Sequence, residues 1–411
     1  MAPLHPPVTD PTPAAADDPV FDSHVFLTGH VDRSLRFYES HSRDLEGGFF
    51  HYFKDDGSVY NRHHRHLVSA TRFVFNWAQA HRRTGREHYR DWAAHALAHL
   101  ERFVIRSGPA RGLHAWTLQD ERIDDATAMA YGQAFVLLAR AHAHRVGLCT
   151  AADVGRAFDV MGEAFWSASE SAYADEITPE GLLLDYRGQN ANMHMCEACL
   201  AAHAATGEAR YLERAHTLIE RFAFDLADQA GGLVWEHYRR DWTLDWDYNK
   251  DNPGNIFKPW GFQTGHQTEW AKLLLTAHAL APDARCLQRA SELHEAAYIH
   301  GWDTQNGGLI YGFDPAYRPC DSDKYFWVQA ESLASAWRLW RTTGDAHFLR
   351  QYRNTWVWSW SHLVDHRYGA WFRIVAADGT KLEDTKSPAG KTDYHTMGAC
   401  WDVMDAGGLR P

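Results

Sequence analysis

A glycine followed by a short run of apolar and aromatic residues recurs six times in this chain. The copies begin at Gly47, Gly112, Gly181, Gly232, Gly308 and Gly369. Each run is too short for a helix and reads as a strand beside a turn. The spacing is uneven, roughly 50 to 75 residues, so the repeat is degenerate. Between the copies lie pairs of helical patterns. One helix is expected before each strand, over about 27–42, 86–106, 151–174, 210–228, 284–300 and 346–364. Another follows, over about 63–81, 127–145, 190–206, 265–280, 326–343 and 394–404. The preceding set carries more charge and the following set is richer in Ala, Leu and aromatics. An amphipathic outer ring around a more buried inner ring is the packing this pattern favours. The expected fold is all-α: an (α/α)6 barrel of six helical hairpins with short strands at one end. An open solenoid is the alternative.

The expected organisation is an N-terminal arm over 1–20, rich in Pro, Ala and Asp, and one barrel domain over 21–411. The arm lacks a basic region followed by an apolar one, so it does not read as a signal peptide. No window is long and uncharged enough for a membrane span. With 53 acidic and 41 basic residues the formal charge is −12. That argues against a nucleic-acid or anionic-membrane partner. Six cysteines, sparse for 411 residues, suit reduced thiols in a cytoplasm. Cys196 and Cys199 form a C-x-x-C in mid-helix without a second pair, a poor zinc or redox motif.

The stretch from Gly261 to Trp270 concentrates the chemistry. Thr264 and Gln267 have capping-box spacing, which predicts a helix start near Gly265. On that helix His266 and Glu269 share a face, and the carboxylate is expected to hold the ring or balance its charge. Near the start of each following helix stands a residue suited to binding or catalysis: Arg72, Tyr131, His194, His266, Trp327 and His395. In a closed barrel these converge on one mouth. Each alone has an ordinary structural explanation; six in register favour a pocket. His194 has Glu197 at i+3, Trp327 has Glu331 at i+4, and Asn190 precedes His194. The polar loop 390–394 before His395 is expected at the rim. The cluster His63-His64-Arg65-His66 reads as a solvated basic edge.

These residues resemble the N-acylglucosamine 2-epimerase superfamily, in particular its aldose–ketose isomerases acting on mannose or the related sulfosugar sulfoquinovose. The resemblance is carried by 67–72, 187–195, 259–270, 327–331 and 394–395. Trp260 departs from the family's tyrosine, and Cys196 and Cys199 from its aliphatics. The resemblance implies proton transfer at the carbon beside a sugar carbonyl, without metal or other cofactor. It implies His395 as the base, His266 with Glu269 as its partner, His194 in ring opening and Arg72 on the oxyanion. Asn190, Tyr131, Trp327 and Glu331 are assigned to substrate binding. The expected reaction is D-mannose to D-fructose, with D-lyxose and D-xylulose as another pair, through a cis-enediolate. The same intermediate serves a 2-epimerase of the mannose/glucose or cellobiose type. Two other classes compete: an (α/α)6 glycoside hydrolase, which needs two flanking carboxylates, with Asp124 and Asp125 as candidates, and a non-catalytic sugar-binding module. Oligomeric state has no signature in the sequence.

Overall fold

The computed structural model describes residues 19–409. The arm expected over 1–20 therefore lies outside the described residues except at its last two positions. Twelve long helices alternate between two rings. The outer ring is α1 (His24–His41), α3 (Glu87–His99), α5 (Ala151–Phe165), α7 (Ala209–Ile219), α9 (Ala284–Gly301) and α11 (Ala346–His362). The inner ring is α2 (Leu67–Thr84), α4 (Ala130–Arg145), α6 (Gln189–Thr206), α8 (Thr264–Leu280), α10 (Phe326–Thr343) and α12 (Tyr394–Ala406).

The inner helices are buried nearly all round. In α8 every residue from Thr264 to Leu275 is buried, and in α2 every residue from Leu67 to Ala80. Outer helices bury one stripe; α7 buries Tyr211, Ala215, Leu218 and Ile219. This is the packing expected of helices that are apolar on all faces and on one face respectively. The tryptophans are mostly core: Trp77, Trp235, Trp270, Trp337, Trp356 and Trp371 are fully buried.

The ring closes in two ways. The few residues before each inner helix pair antiparallel with a strand from the next repeat: His64–His66 with Thr117–Gln119, Ala128–Met129 with Glu176–Ile177, Arg187–Gly188 with His237–Tyr238, Phe262–Gln263 with Gly312–Phe313, and Lys324–Tyr325 with Ile374–Val375. The sixth pairing, Phe53 with Ser387, joins the last repeat to the first. Asp393 adds a buried tie, accepting from Tyr38 Oη of α1 at 2.6 Å and from the Trp371 backbone at 3.1 Å. The polar loop thus contributes Gly390 and Lys391 to the mouth, while Asp393 belongs to the closure.

A side-chain clamp explains why inner helices and strands share one register. The fourth residue of α4, α6, α8 and α10 is Gln133, Asn192, Gln267 and Gln329. Each amide accepts from and donates to the backbone of one residue in the glycine-run or hairpin segment before it: His114, Tyr173, Val234 and Leu309 respectively. Gln267 is therefore a clamp and not half of a capping box. The helix start is as expected, but its cap residue Gln263 makes no side-chain cap bond.

Two further expectations change. The third repeat's strand is not the run at Gly181, whose Leu182 and Leu183 are exposed. It is the hairpin of Trp166–Ser167 with Ala172–Tyr173, so α5 stops at Phe165 rather than near 174. The glycine signal is missing there because Ser171 takes the left-handed turn conformation, with φ 54°. The cluster His63-His64-Arg65-His66 is a solvated edge only at His63, which is exposed. His64–His66 is a paired strand, Arg65 is buried on Asp44 at 2.6 Å, and His66 accepts from the Val68 backbone to cap α2. Cys196 and Cys199 are buried free thiols that pack α6.

Candidate active site

The first turns of the inner helices surround a cavity of about 90 Å3. Arg72, Tyr131, Asn190, His194, His266, Glu269, Trp327 and His395 all line it. The shared register is looser than the sequence suggests. Tyr131, Trp327 and His395 are the second residues of their helices and His266 the third. Arg72 and His194 are sixth residues, one turn deeper.

His395 has one protonation state that satisfies its neighbours. Arg72 Nη2 lies 3.2 Å from its Nε2, and Nδ1 lies 2.7 Å from Glu331 Oε1. A guanidinium only donates, so Nε2 carries the lone pair and Nδ1 carries the proton. Burial, then Arg72 and Lys272, hold the ring well below the ordinary histidine range. The result is a neutral base with its lone pair facing the cavity. Glu331, expected to bind substrate, does not line the cavity. It stands behind His395 and orients it.

Arg72 is fixed on three sides. It donates to the Gly390 carbonyl at 2.5 Å and to Tyr131 Oη at 3.4 Å. Its guanidinium lies over Phe135 and Tyr394, 4.5 and 4.8 Å from the ring centroids.

His266 is held by a carboxylate other than the expected one. Its Nδ1 is 2.8 Å from Glu236 Oε1. Gln189 donates to Glu236 at 3.0 Å, and its own Oε1 accepts from Trp270 Nε1 at 2.8 Å. Glu269 cannot reach His266 in this way, because at i+3 it turns toward His194 Nδ1, 3.9 Å away. The His266 ring packs on Trp327, centroids 4.9 Å apart, and Trp327 also meets His395 at 5.9 Å. Gly265 makes this possible: a Cβ there would fall 2.3 Å from the Trp327 ring. Asn190 presents a buried Oδ1 with no partner among the described residues, and Trp260, turned to the Trp246 carbonyl at 2.7 Å, is not part of the cavity wall.

Behind the histidines is an acidic cluster that sequence spacing did not reveal. Lys272 Nζ lies 2.6, 3.7 and 4.0 Å from Glu331, Glu269 and Glu197. Burial opposes the charge on Lys272, but Glu331, Glu269 and Glu197 outweigh it and hold the ammonium above its ordinary range. Burial also pushes up Glu197, yet Lys272 and His194 together hold it well below the usual carboxylate range; His194 Nδ1 is 3.0 Å away. Burial raises Glu331 with Lys272 opposing. Glu269 accepts no hydrogen bond on either oxygen from the described residues. Burial and then the Glu331 charge push it well above the carboxylate range, so it is the member that takes a proton. The donor atoms of His194, Glu197 and Glu269, and those of Glu269, Glu331 and His395, lie within 4.8 Å of one another. Lys272 supplies a positive charge to that cluster. Glu269 is the one carboxylate among the cavity-lining residues, and Asp124 and Asp125 are not among them. Glu236, Gln189 and Lys272 escaped the sequence reading. The available signals were an acid ending the fourth glycine run and a lysine inside an apolar inner helix.

The signature of the N-acylglucosamine 2-epimerase (GlcNAc 2-epimerase) family matches residues 48–399. The chain belongs to this family. It is 46% identical over 389 residues to a D-mannose isomerase of Marinomonas mediterranea, covering 94% of this chain and 98% of that one. A D-mannose isomerase of Thermobifida fusca is 33% identical, over 74% of this chain and 80% of its own. A crystal structure of a D-mannose isomerase superposes with a TM-score of 0.92 at 46% identity, over 94% of this chain and 99% of that one. A cellobiose 2-epimerase from Bacillus thermoamylovorans superposes with a TM-score of 0.81 at 18% identity, over 93% of this chain and 99% of that one, a likeness of fold. The family members share the (α/α)6 barrel described above.

Proposed function

We propose that this chain is a metal-free aldose–ketose isomerase that interconverts D-mannose and D-fructose, with residues 21–411 as one catalytic domain. The observation that carries the reading is His395, a neutral imidazole held between Glu331 and Arg72 with its lone pair toward the cavity. The relatives named D-mannose isomerase supply the sugar.

In this reading Trp327 packs against the open-chain sugar, and Asn190 and Tyr131 bind its hydroxyls. His194 and the protonated Glu269 serve ring opening as base and acid. The C1 carbonyl oxygen then takes over an Arg72 N–H, which frees His395 Nε2. His395 removes the C2 proton, and the electron pair moves to O1 to give the cis-enediolate. Arg72 stabilises the oxygen where charge builds, the interaction that lowers such barriers most. His266, oriented by Glu236, accepts the O2 proton at Nε2 and delivers it to O1. His395 returns its proton to C1, which completes the ketose. Return to the opposite face of C2 would give the epimer.

Metal-free chemistry is part of the proposal, since Lys272 already offsets the buried acids. Six free thiols support a cytoplasmic site of action, and no helix of the described residues is long and apolar enough to cross a membrane. The test is incubation with D-mannose and EDTA in D2O, followed by NMR. Fructose with deuterium at C1 is expected. Glucose alone would mean an epimerase, and no product or dependence on added metal would sink the proposal.

A further inference from the structure

The barrel has a second cavity, of about 240 Å3, at the other end of the inner helices. Its mouth is built from their last turns: Arg82 and Arg83 of α2, Arg145 of α4, and Asp402 and Asp405 of α12, with Arg338 of α10 beside them. Its inner wall is the back of the catalytic layer, where Glu197, Lys272 and Glu331 are paired among themselves and the rear of His395 is also reached. Basic residues in a last turn ordinarily complement the helix end. Here their charge also converges on one cavity mouth.

The positive groups outnumber their partners. Asp405 serves two guanidiniums, Arg83 at 2.7 Å and Arg82 at 3.4 Å. Asp402 is used by Arg338 at 2.7 and 3.3 Å. Arg145 has no ion-pair partner among the described residues. Arg82 shows the crowding: burial and then the charges of Arg83 and Arg145 lower its affinity for its proton. Beside them His142 lines the cavity, 7% exposed, with no hydrogen-bond partner among the described residues. A neutral imidazole carries one N–H that can be donated to an anion.

We infer that this rear cavity binds a small oxyanion of the phosphate class, held by Arg145, Arg82 and His142 at its mouth, on the side of His395 away from the sugar pocket. Guanidiniums match phosphate oxygens in geometry as well as charge. The anion comes as the free ion or as a phosphomonoester of a small metabolite, and a cavity of this size takes either.

Calorimetric titration of the full chain with inorganic phosphate and with glycerol phosphate, at constant ionic strength set by chloride, tests the inference. One saturable site is expected, unaffected by mannose. Arg145→Ala, at an exposed position, should weaken binding at least tenfold, and His142→Phe should weaken it without altering turnover of mannose. Tighter binding of glycerol phosphate assigns the source as an esterified phosphate; equal or weaker binding assigns the free ion. Shifts no larger than those of chloride, binding unchanged in Arg145→Ala, or competition with mannose would each overturn it.

Discussion

Glu236 Oε1 lies 2.8 Å from Nδ1 of His266, thirty residues later in the chain. It is the carboxylate that orients one of the three histidines lining the sugar pocket. Glu236→Gln keeps the shape but lets an amide N–H face Nδ1, which selects the wrong tautomer. Loss of kcat on the order of 10^2-fold or more is expected, with a smaller change in KM. Steady-state kinetics check it; a variant within a factor of three of the parent would remove Glu236 from the mechanism.

His395→Ala should abolish deuterium incorporation at C1 and C2 while the protein stays folded. Exchange measured by NMR at long incubation is the sensitive readout. Retained exchange would transfer the base role to His266.

Gly265→Ala should displace the Trp327 ring, since the added Cβ would sit 2.3 Å from it. The expected result is a KM raised about tenfold or more, consistent with loss of ~1.4 kcal/mol of binding, and altered tryptophan fluorescence on adding sugar. Unchanged KM would mean that Trp327 does not contact the substrate.

Gln267→Ala removes the clamp on Val234 and leaves a buried N–H and C=O without partners. The cost is about 1–3 kcal/mol for each orphaned group, read as a lower denaturation midpoint at unchanged m-value. A loss within error of zero would show that the clamp is dispensable.

Stability should rise with pH from about 4 to 6.5. Burial holds His30, His114 and His294 down at about 4, against an ordinary value of about 6.5 when unfolded. Between those values the unfolded chain binds more protons, so the folded state gains as pH rises. Each group adds up to about 1.4 kcal/mol per pH unit in that window. Urea titrations from pH 4.5 to 7.5 check this, and a flat profile below pH 6.5 contradicts it.

The sequence by itself determined the twelve helices, their two rings and eight of the nine proposed site residues that line the pocket, because these depend on local apolar periodicity and on what stands near each helix start. It placed the third strand wrongly, because a serine can adopt the turn that glycine marks elsewhere. Only the tertiary structure decided which carboxylate serves which histidine. His266 goes to Glu236 and His395 to Glu331, while Glu269, three residues from His266, faces Lys272 and His194 instead. The first pairing joins a helix to the loop before it and the second joins neighbouring repeats, so they follow from how the chain folds back on itself and which buried charges must be balanced, and spacing along one helix carries no record of either.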